Sequence, residues 1–261
     1  MDELKRFRLD GKVALVAGGS GGIGVRLCGA FAAVGAKVAV VGRDEERLAA
    51  ARKAVEDAGG EAVTLAGDMT KEADADRVVE EAVSRLGGLD ILVNAVGGGA
   101  GAVLNDAEVY LERDWDWIMD LNLRSQFLVS KAAARAMIAA GRGGRILNIS
   151  SVRGQLGINL GYSAYVAAKG ATNALTRQHA TEWAKHGITV NAISPTFVRT
   201  PQVESLLADE SFREGLVRRI PLGRIADPDD LVGAVLFFCS DASSFVTGQV
   251  LTLDGGLTAT Q

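Results

Sequence analysis

Tyr165 and Lys169 stand four positions apart in Tyr165-Val166-Ala167-Ala168-Lys169, within a stretch of helical character. Residues so spaced share one helix face. A free phenol ionises near pH ~10, and a nearby cation lowers an acid's pKa by roughly 1–3. The pair can therefore exchange a proton with the oxygen of an alcohol or ketone. Ser151 lies 14 positions before Tyr165, at the end of Ile146-Leu147-Asn148-Ile149-Ser150-Ser151-Val152. Its hydroxyl could bond the same oxygen and steady developing alkoxide charge. Ser150, its neighbour, is expected to act as a structural cap. Tyr162 has Val166 four positions on, not lysine, and is set aside as the proton carrier.

A second motif supplies a place for a dinucleotide. Gly18, Gly19, Ser20, Gly21, Gly22, Ile23 and Gly24 fall between an apolar run and a helical stretch. Glycines let a backbone approach a pyrophosphate closely, and the helix start behind them offers free N–H groups. The spacing Gly18-xxx-Gly22-x-Gly24 departs from G-x-G-x-x-G. An acid that binds the ribose of NAD is expected at the end of the second strand. Gly42 occupies that place, followed by Arg43 and Asp44. Arg43 could pair with a 2′-phosphate, so NADP(H) is favoured over NAD(H). Asp44 is assigned to capping the next helix.

The elements that must position these groups are legible as apolar runs alternating with helical patterns. Strands are expected at 13–17, 37–41, 62–66, 91–94, 145–149, 189–193 and 250–253. Helices are expected at 22–34, 44–58, 71–86, 114–140, 163–186 and from Asp227 to about Ser240, where Asp227 can cap and Pro228 suits the first turn. Near-continuous apolar strands alternating with helices imply an α/β fold: one doubly wound parallel sheet of about seven strands, with helices on both faces. Residues 1–261 are expected to form one domain, and the rhythm-breaking stretch 196–222 a partly helical substrate lid.

Composition excludes other classes. The chain has 261 residues, 48% of them hydrophobic, and a net charge of −4. Such a balance does not favour a nucleic acid or an anionic membrane surface as partner. No apolar run approaches the ~18 residues of a membrane span, and the charged start lacks a signal-peptide core, so a cytoplasmic location is expected. Cys28 and Cys239 are read as buried free thiols, and His179 and His186 as helix residues; no metal site is expected.

The glycine loop, Asp68-Met69-Thr70, Leu92-Val93-Asn94, Asn122, the Ser151/Tyr165/Lys169 set, Pro195, Thr247-Gly248-Gln249 and Asp254-Gly255-Gly256 follow one another along nearly the whole chain. In that order and near that spacing they resemble the short-chain dehydrogenase/reductase family, nearest to its gluconate 5-dehydrogenase-like and 3-oxoacyl-thioester reductase-like members. The resemblance implies a Rossmann-type fold and an NAD(P)-dependent oxidoreductase interconverting a secondary alcohol and a ketone by hydride transfer. Tyr165 would be the acid/base, Lys169 would lower its pKa and bind the nicotinamide ribose, and Ser151 would orient the substrate oxygen. Asn122 would hold a water connecting Lys169 to solvent. Asp68 and Met69 would lie at the adenine, Asn94 and Ala95 on the cofactor side of the central strand with Gly97 beyond them, and Pro195, Val198 and Thr200 along the nicotinamide. The family also implies a homotetramer acting on a small alcohol or ketone.

Three residues depart from the family pattern: Ala17 where threonine is usual, Ala95 where a second asparagine is frequent, and Thr196 where glycine follows Pro195. The first removes a side-chain tie near Asn94. A cofactor-binding regulatory protein without turnover is the alternative, and an intact Ser151, Tyr165 and Lys169 speaks against it. A nucleotide-sugar epimerase would need a longer chain with a substrate domain. The substrate is less legible: a polyol or sugar acid, a cyclic alcohol and a 3-oxoacyl thioester all remain open. Arg153, two residues past Ser151, and Arg199, at the lid entrance, are candidates to meet a substrate carboxylate or phosphate.

Overall fold

Short apolar runs that lack polar alternation call for cover on both faces, and the central strands Val13–Ala17 and Ile91–Asn94 are buried at every residue. A computed structural model describes residues 3–260; Met1, Asp2 and Gln261, the ends of the expected domain, lie outside the described residues. The strands are β1 (Val13–Ala17), β2 (Lys37–Gly42), β3 (Ala62–Ala66), β4 (Ile91–Asn94), β5 (Gly144–Ile149), β6 (Ile188–Pro195) and β7 (Val250–Leu253). They form one seven-stranded sheet in the order β3-β2-β1-β4-β5-β6-β7, parallel throughout. The order reverses between β1 and β4. The crossovers on either side of that point run to opposite faces, so a crevice opens at the carboxyl ends of β1 and β4.

The helices are α1 (Gly22–Ala33), α2 (Glu45–Asp57), α3 (Glu72–Leu86), α4 (Glu112–Met119), α5 (Ser125–Ala140), α6 (Ser163–Trp183), α7 (Glu204–Ala208), α8 (Glu210–Arg218) and α9 (Asp229–Cys239). Successive β1 residues point to opposite faces. Val13, Leu15 and Ala17 pack with Val78, Ala82, Val129 and Ala133 of α3 and α5. Ala14 and Val16 pack with Leu27 and Phe31 of α1, Val55 of α2, and Leu231 and Val235 of α9. Asp44 caps α2 by accepting from the Arg47 N–H at 3.0 Å, as expected.

Three expectations need correction. The helix expected over 114–140 contains a π turn at Asp120–Arg124 between α4 and α5, where the Ser125 N–H reaches back to the Asp120 carbonyl. That extra residue turns Asn122 inward; side-chain periodicity does not signal it because the flanking helices stay in line. Asp227 does not cap α9. Instead the Asp230 carboxylate reaches back to accept from the Asp227 N–H at 2.8 Å. The helix expected to continue to His186 ends at Trp183 and closes with a 3-10 turn at Ala184–His186. The 196–222 stretch contains α7 and α8, which share a small core of Leu207, Leu216, Ile220, Ile225 and Leu257, backed by Leu156 and Phe212.

Candidate active site

Close backbone contact explains the glycines. A Cβ on Gly24 would lie 2.2 Å from the Gly18 carbonyl oxygen, and one on Gly18 would lie 2.7 Å from the Ala95 backbone. Gly18 also has φ +80°, in the left-handed region that favours glycine. The turn is therefore folded tightly on itself and against the chain leaving β4. The Gly18 and Gly19 N–H groups bond the Val41 carbonyl, leaving the start of α1 facing the crevice. The Gly21 residue that precedes α1 has no side chain to cap it. Free N–H groups at a helix start, with no side chain over them, suit a pyrophosphate.

The start of the 196–222 stretch packs against this cradle. A Cβ on Gly22 would sit 2.8 Å from that of Thr200, and one on Gly98 would strike the Gln202 amide. Val198 is buried and pairs as an isolated bridge with Ala226. Gln202 carries no sequence signal; it is found only because its segment folds back over Gly98.

Tyr165 and Lys169 share one face of α6, as their spacing requires. The Lys169 ammonium stands 5.6 Å from the centre of the Tyr165 ring. It is buried and donates to the Ile149 carbonyl at 2.9 Å. The buried Gln126 of α5 donates to the same carbonyl at 3.2 Å. Gln126 is a residue that sequence reasoning missed; its one signal is its place one turn past Asn122. The two serines have roles the reverse of part of the expectation. Ser150 does not cap: its hydroxyl donates to Asn173 Oδ1 at 2.6 Å and ties β5 to α6. The Ser151 hydroxyl instead accepts from the Arg153 N–H at 3.2 Å, at the start of a short 3-10 turn, and lies close enough to the Tyr165 phenol to favour its ionised form.

The expected electrostatics also change. Burial raises the Tyr165 phenol above its ordinary value, and this outweighs the lowering by the Ser151 hydrogen bond. Burial pushes the Lys169 ammonium down to about 8.

Asn122 is fully buried. Its amide spans the Gly98 backbone, accepting from the Gly98 N–H at 2.8 Å and donating to its carbonyl at 2.9 Å. Gly97 lies between it and Lys169: a Cβ there would be 2.8 Å from Asn122 Oδ1 and 3.2 Å from Lys169 Nζ. Asn94 donates to Ser130 and to Asn148, both at 2.8 Å. Asn148 then donates to Thr176 of α6 at 2.9 Å. This buried chain fixes the ends of β4 and β5 against α5 and α6. Asn94 Oδ1 has no hydrogen-bond partner. Its register partner, Ala17, offers no hydroxyl, in keeping with the missing tie expected there; the loop is held instead by the Ala95 N–H on the Ala17 carbonyl at 2.8 Å.

The family model described as Enoyl-(Acyl carrier protein) reductase matches residues 17–258. A gluconate 5-dehydrogenase of Gluconobacter oxydans is 42% identical over 255 residues, covering 97% of this chain and 96% of that one. The chain is a short-chain dehydrogenase/reductase. A 3-oxoacyl-acyl-carrier-protein reductase of Thermotoga maritima is 38% identical over 251 residues, 96% of this chain and 99% of that one. The crystal structure of a gluconate 5-dehydrogenase from Burkholderia cenocepacia J2315, in complex with NADP and tartrate, superposes with a TM-score of 0.90 at 38% identity, covering 98% of each chain. As a short-chain dehydrogenase/reductase, this protein is an NAD(P)-dependent oxidoreductase of alcohols and ketones.

The remaining expected residues have the following surroundings. Arg43 is exposed just past β2 and enters no ion pair among the described residues. Asp68 accepts from the Thr70 N–H and hydroxyl, at 3.0 and 2.9 Å, and does not cap α3, whose first turn begins after Lys71. Met69 is buried beneath it. Pro195 closes β6, and the Thr196 hydroxyl is buried without a partner. His179 is buried and stacks on Trp183 with ring centres 4.1 Å apart. No cluster of metal-ligating side chains occurs among the described residues. Both cysteines are free and buried; burial pushes Cys28 up to about 12 and raises Cys239 as well. Among the described residues, no helix is long and apolar enough to cross a membrane.

Proposed function

We propose that the enzyme uses Tyr165 as general acid/base on the oxygen of a secondary alcohol or ketone, with NADP(H) preferred over NAD(H). The observation that carries this reading is the convergence of Tyr165, Lys169 and the Ser151 hydroxyl at the end of β5, beside the glycine turn. Gly18, Ser20, Gly21, Gly22, Ile23 and Gly24 would hold the pyrophosphate, with Ala95 and Gly97 along its path. Asp68 and Met69 would meet the adenine, and Pro195, Val198 and Thr200 the nicotinamide end. When bound, the nicotinamide supplies or accepts the hydride. Ser151 orients the reacting oxygen, and Tyr165 gives or takes its proton. Lys169, anchored by Ile149, keeps a cation under the phenol, and Asn122 holds the Gly97–Gly98 backbone clear of it. The 196–222 lid excludes water from the crevice. The substrate is proposed to be a sugar acid or related polyol, in line with the gluconate dehydrogenases, with 3-oxoacyl thioesters as the second class. A cytoplasmic site of action fits the two free thiols.

NADP(H) preference is supported at two positions. Gly42 stands where an acid would favour NAD, and a Cβ there would come 2.3 Å from Ser20 Oγ, so a larger residue would first require the Ser20 hydroxyl to swing away. Arg43 is exposed and free to meet a 2′-phosphate. A panel of ketones and alcohols with both cofactors, followed by reduced-nicotinamide absorbance, is expected to give at least tenfold higher kcat/KM with NADPH. Arg43→Gln is expected to erase most of that margin. Equal use of both cofactors by the native enzyme overturns the preference.

A homotetramer is also proposed. Trp115, Trp117, Phe127 and Ile138 leave an apolar surface on α4 and α5, and Phe245 and Leu251 leave another beside β7. Two separate self-complementary patches suit dihedral symmetry. Light scattering is expected to return four times the chain mass; a monomer is the adverse result.

A further inference from the structure

Arg153 is the one buried guanidinium in the site, 5% exposed, and it forms no ion pair among the described residues. Its Nη1 donates to the Gly157 carbonyl at 3.0 Å, which leaves most of its donors unused. A guanidinium with free donors and no opposing charge of its own chain suits an anion that arrives from outside. The other candidate differs: Arg199 is exposed and already faces Asp227 at 3.6 Å. Near Arg153 stand the phenols of Tyr162 and Tyr165 and, from the lid, the guanidinium of Arg219. Arg219 follows α8 as its C-cap, is exposed, and likewise enters no ion pair among the described residues. Its neighbour Ile220 is buried in the lid core, against which Leu156 of the Arg153 loop packs. That core brings the Arg153 loop and the chain end of α8 together, so the two cations feel each other's charge.

We propose that Arg153 and Arg219 form an anion subsite beside the reacting oxygen, and that the substrate is an alcohol or ketone bearing a carboxylate elsewhere in the molecule. This rests on the reading of Tyr165 given above. A carboxylate would accept from the planar fork of Arg153 and relieve its repulsion with Arg219. Docking of the anion would also draw Arg219 inward, coupling substrate binding to the seating of α8. A neutral alcohol would leave both charges unanswered.

The test compares hydroxy acids with their primary amides and with phosphate esters of matched length. For the native enzyme, kcat/KM is expected to favour the acid over the amide by at least 30-fold. Arg219→Gln should cut that ratio by tenfold or more, Arg219→Glu further still, and Arg153→Gln at least as much. Arg213→Gln, on the same helix but paired with Glu210, should leave the ratio at its native value. A purely structural role for Arg153 would not make the ratio respond to Arg219, so the lid variants decide the matter even if Arg153→Gln fails to fold. A native enzyme that treats acid and amide alike, or a ratio indifferent to Arg219, overturns the subsite; preference for the phosphate ester overturns the carboxylate assignment. Turnover of neutral alcohols alone would sink the subsite and spare the Tyr165 chemistry. If no pair is turned over, calorimetric binding of acid and amide to the NADPH-loaded enzyme reads the same preference.

Discussion

Tyr165→Phe is expected to lower kcat by about 10²–10⁴-fold, the usual worth of a positioned acid/base, while NADPH binding measured by fluorescence stays within twofold. The substitution removes one oxygen and little else. The ring keeps its edge-on packing against Tyr162, with centres 6.1 Å apart, and the glycine cradle belongs to a different part of the fold, between β1 and α1. The native pH profile should carry the signature of that oxygen. Oxidation needs the phenolate, and burial holds the phenol above its ordinary pKa in the chain itself. Alcohol oxidation should therefore climb through the alkaline range, whereas ketone reduction, which needs the protonated phenol, should not. The residual activity of the variant should lack the alkaline rise. Retention of more than a tenth of native kcat would remove Tyr165 from the mechanism.

Lys169→Met should separate activity from stability. Loss of the cation under the phenol is expected to cost about 10²-fold or more in kcat. Stability should move the other way. The folded protein holds Lys169 at about 8, against an ordinary value of 10.5. At neutral pH the chain therefore pays roughly 3 kcal/mol to keep that ammonium charged inside. Methionine fills similar volume without charge, and Gln126 continues to serve the Ile149 carbonyl. After allowance for the lost hydrogen bond, a net gain of about 1–2 kcal/mol is expected, a rise in Tm of a few degrees for a chain of this size. The sign of the pH dependence follows from a depressed basic group. The folded state sheds its proton first, so in the native enzyme this contribution to stability improves as pH rises from about 8 towards 10.5. The variant should lack that improvement. A lower Tm for Lys169→Met at pH 7 would show that the buried charge is better satisfied than its surroundings suggest. A stabilised, inactive variant would mark Lys169 as a residue kept for chemistry at the expense of the fold.

Part of this site is written in short-range pattern. Glycine at 18, 22 and 24 says that backbone must approach backbone, and the contacts of Gly18 and Gly24 bear that out. The four-residue step from Tyr165 to Lys169 already places both on one helical face. The same step at Tyr162 leads to Val166 and so sets that phenol apart. Other features depend on partners that no local window contains. Asn122 reaches Gly98 through a π turn whose neighbours read as ordinary helix. Ser150 and Ser151 are adjacent, alike in type and opposite in role, because one meets Asn173 and the other Tyr165. Arg199 and Arg153 read as equals along the chain, and only folding supplies Asp227 to one and Arg219 to the other.

By itself the sequence determined the parallel sheet, its helices, the dinucleotide turn and the proton-carrying pair, because strand burial, helical periodicity and glycine's conformational freedom act over a few residues. The tertiary structure decided which serine faces the phenol, how Asn122 clears the backbone beside Lys169, and which arginine stays buried without a counter-charge. Those outcomes depend on desolvation and on partners 14 to 66 residues away, and burial shifted both Tyr165 and Lys169 in directions that their spacing did not announce.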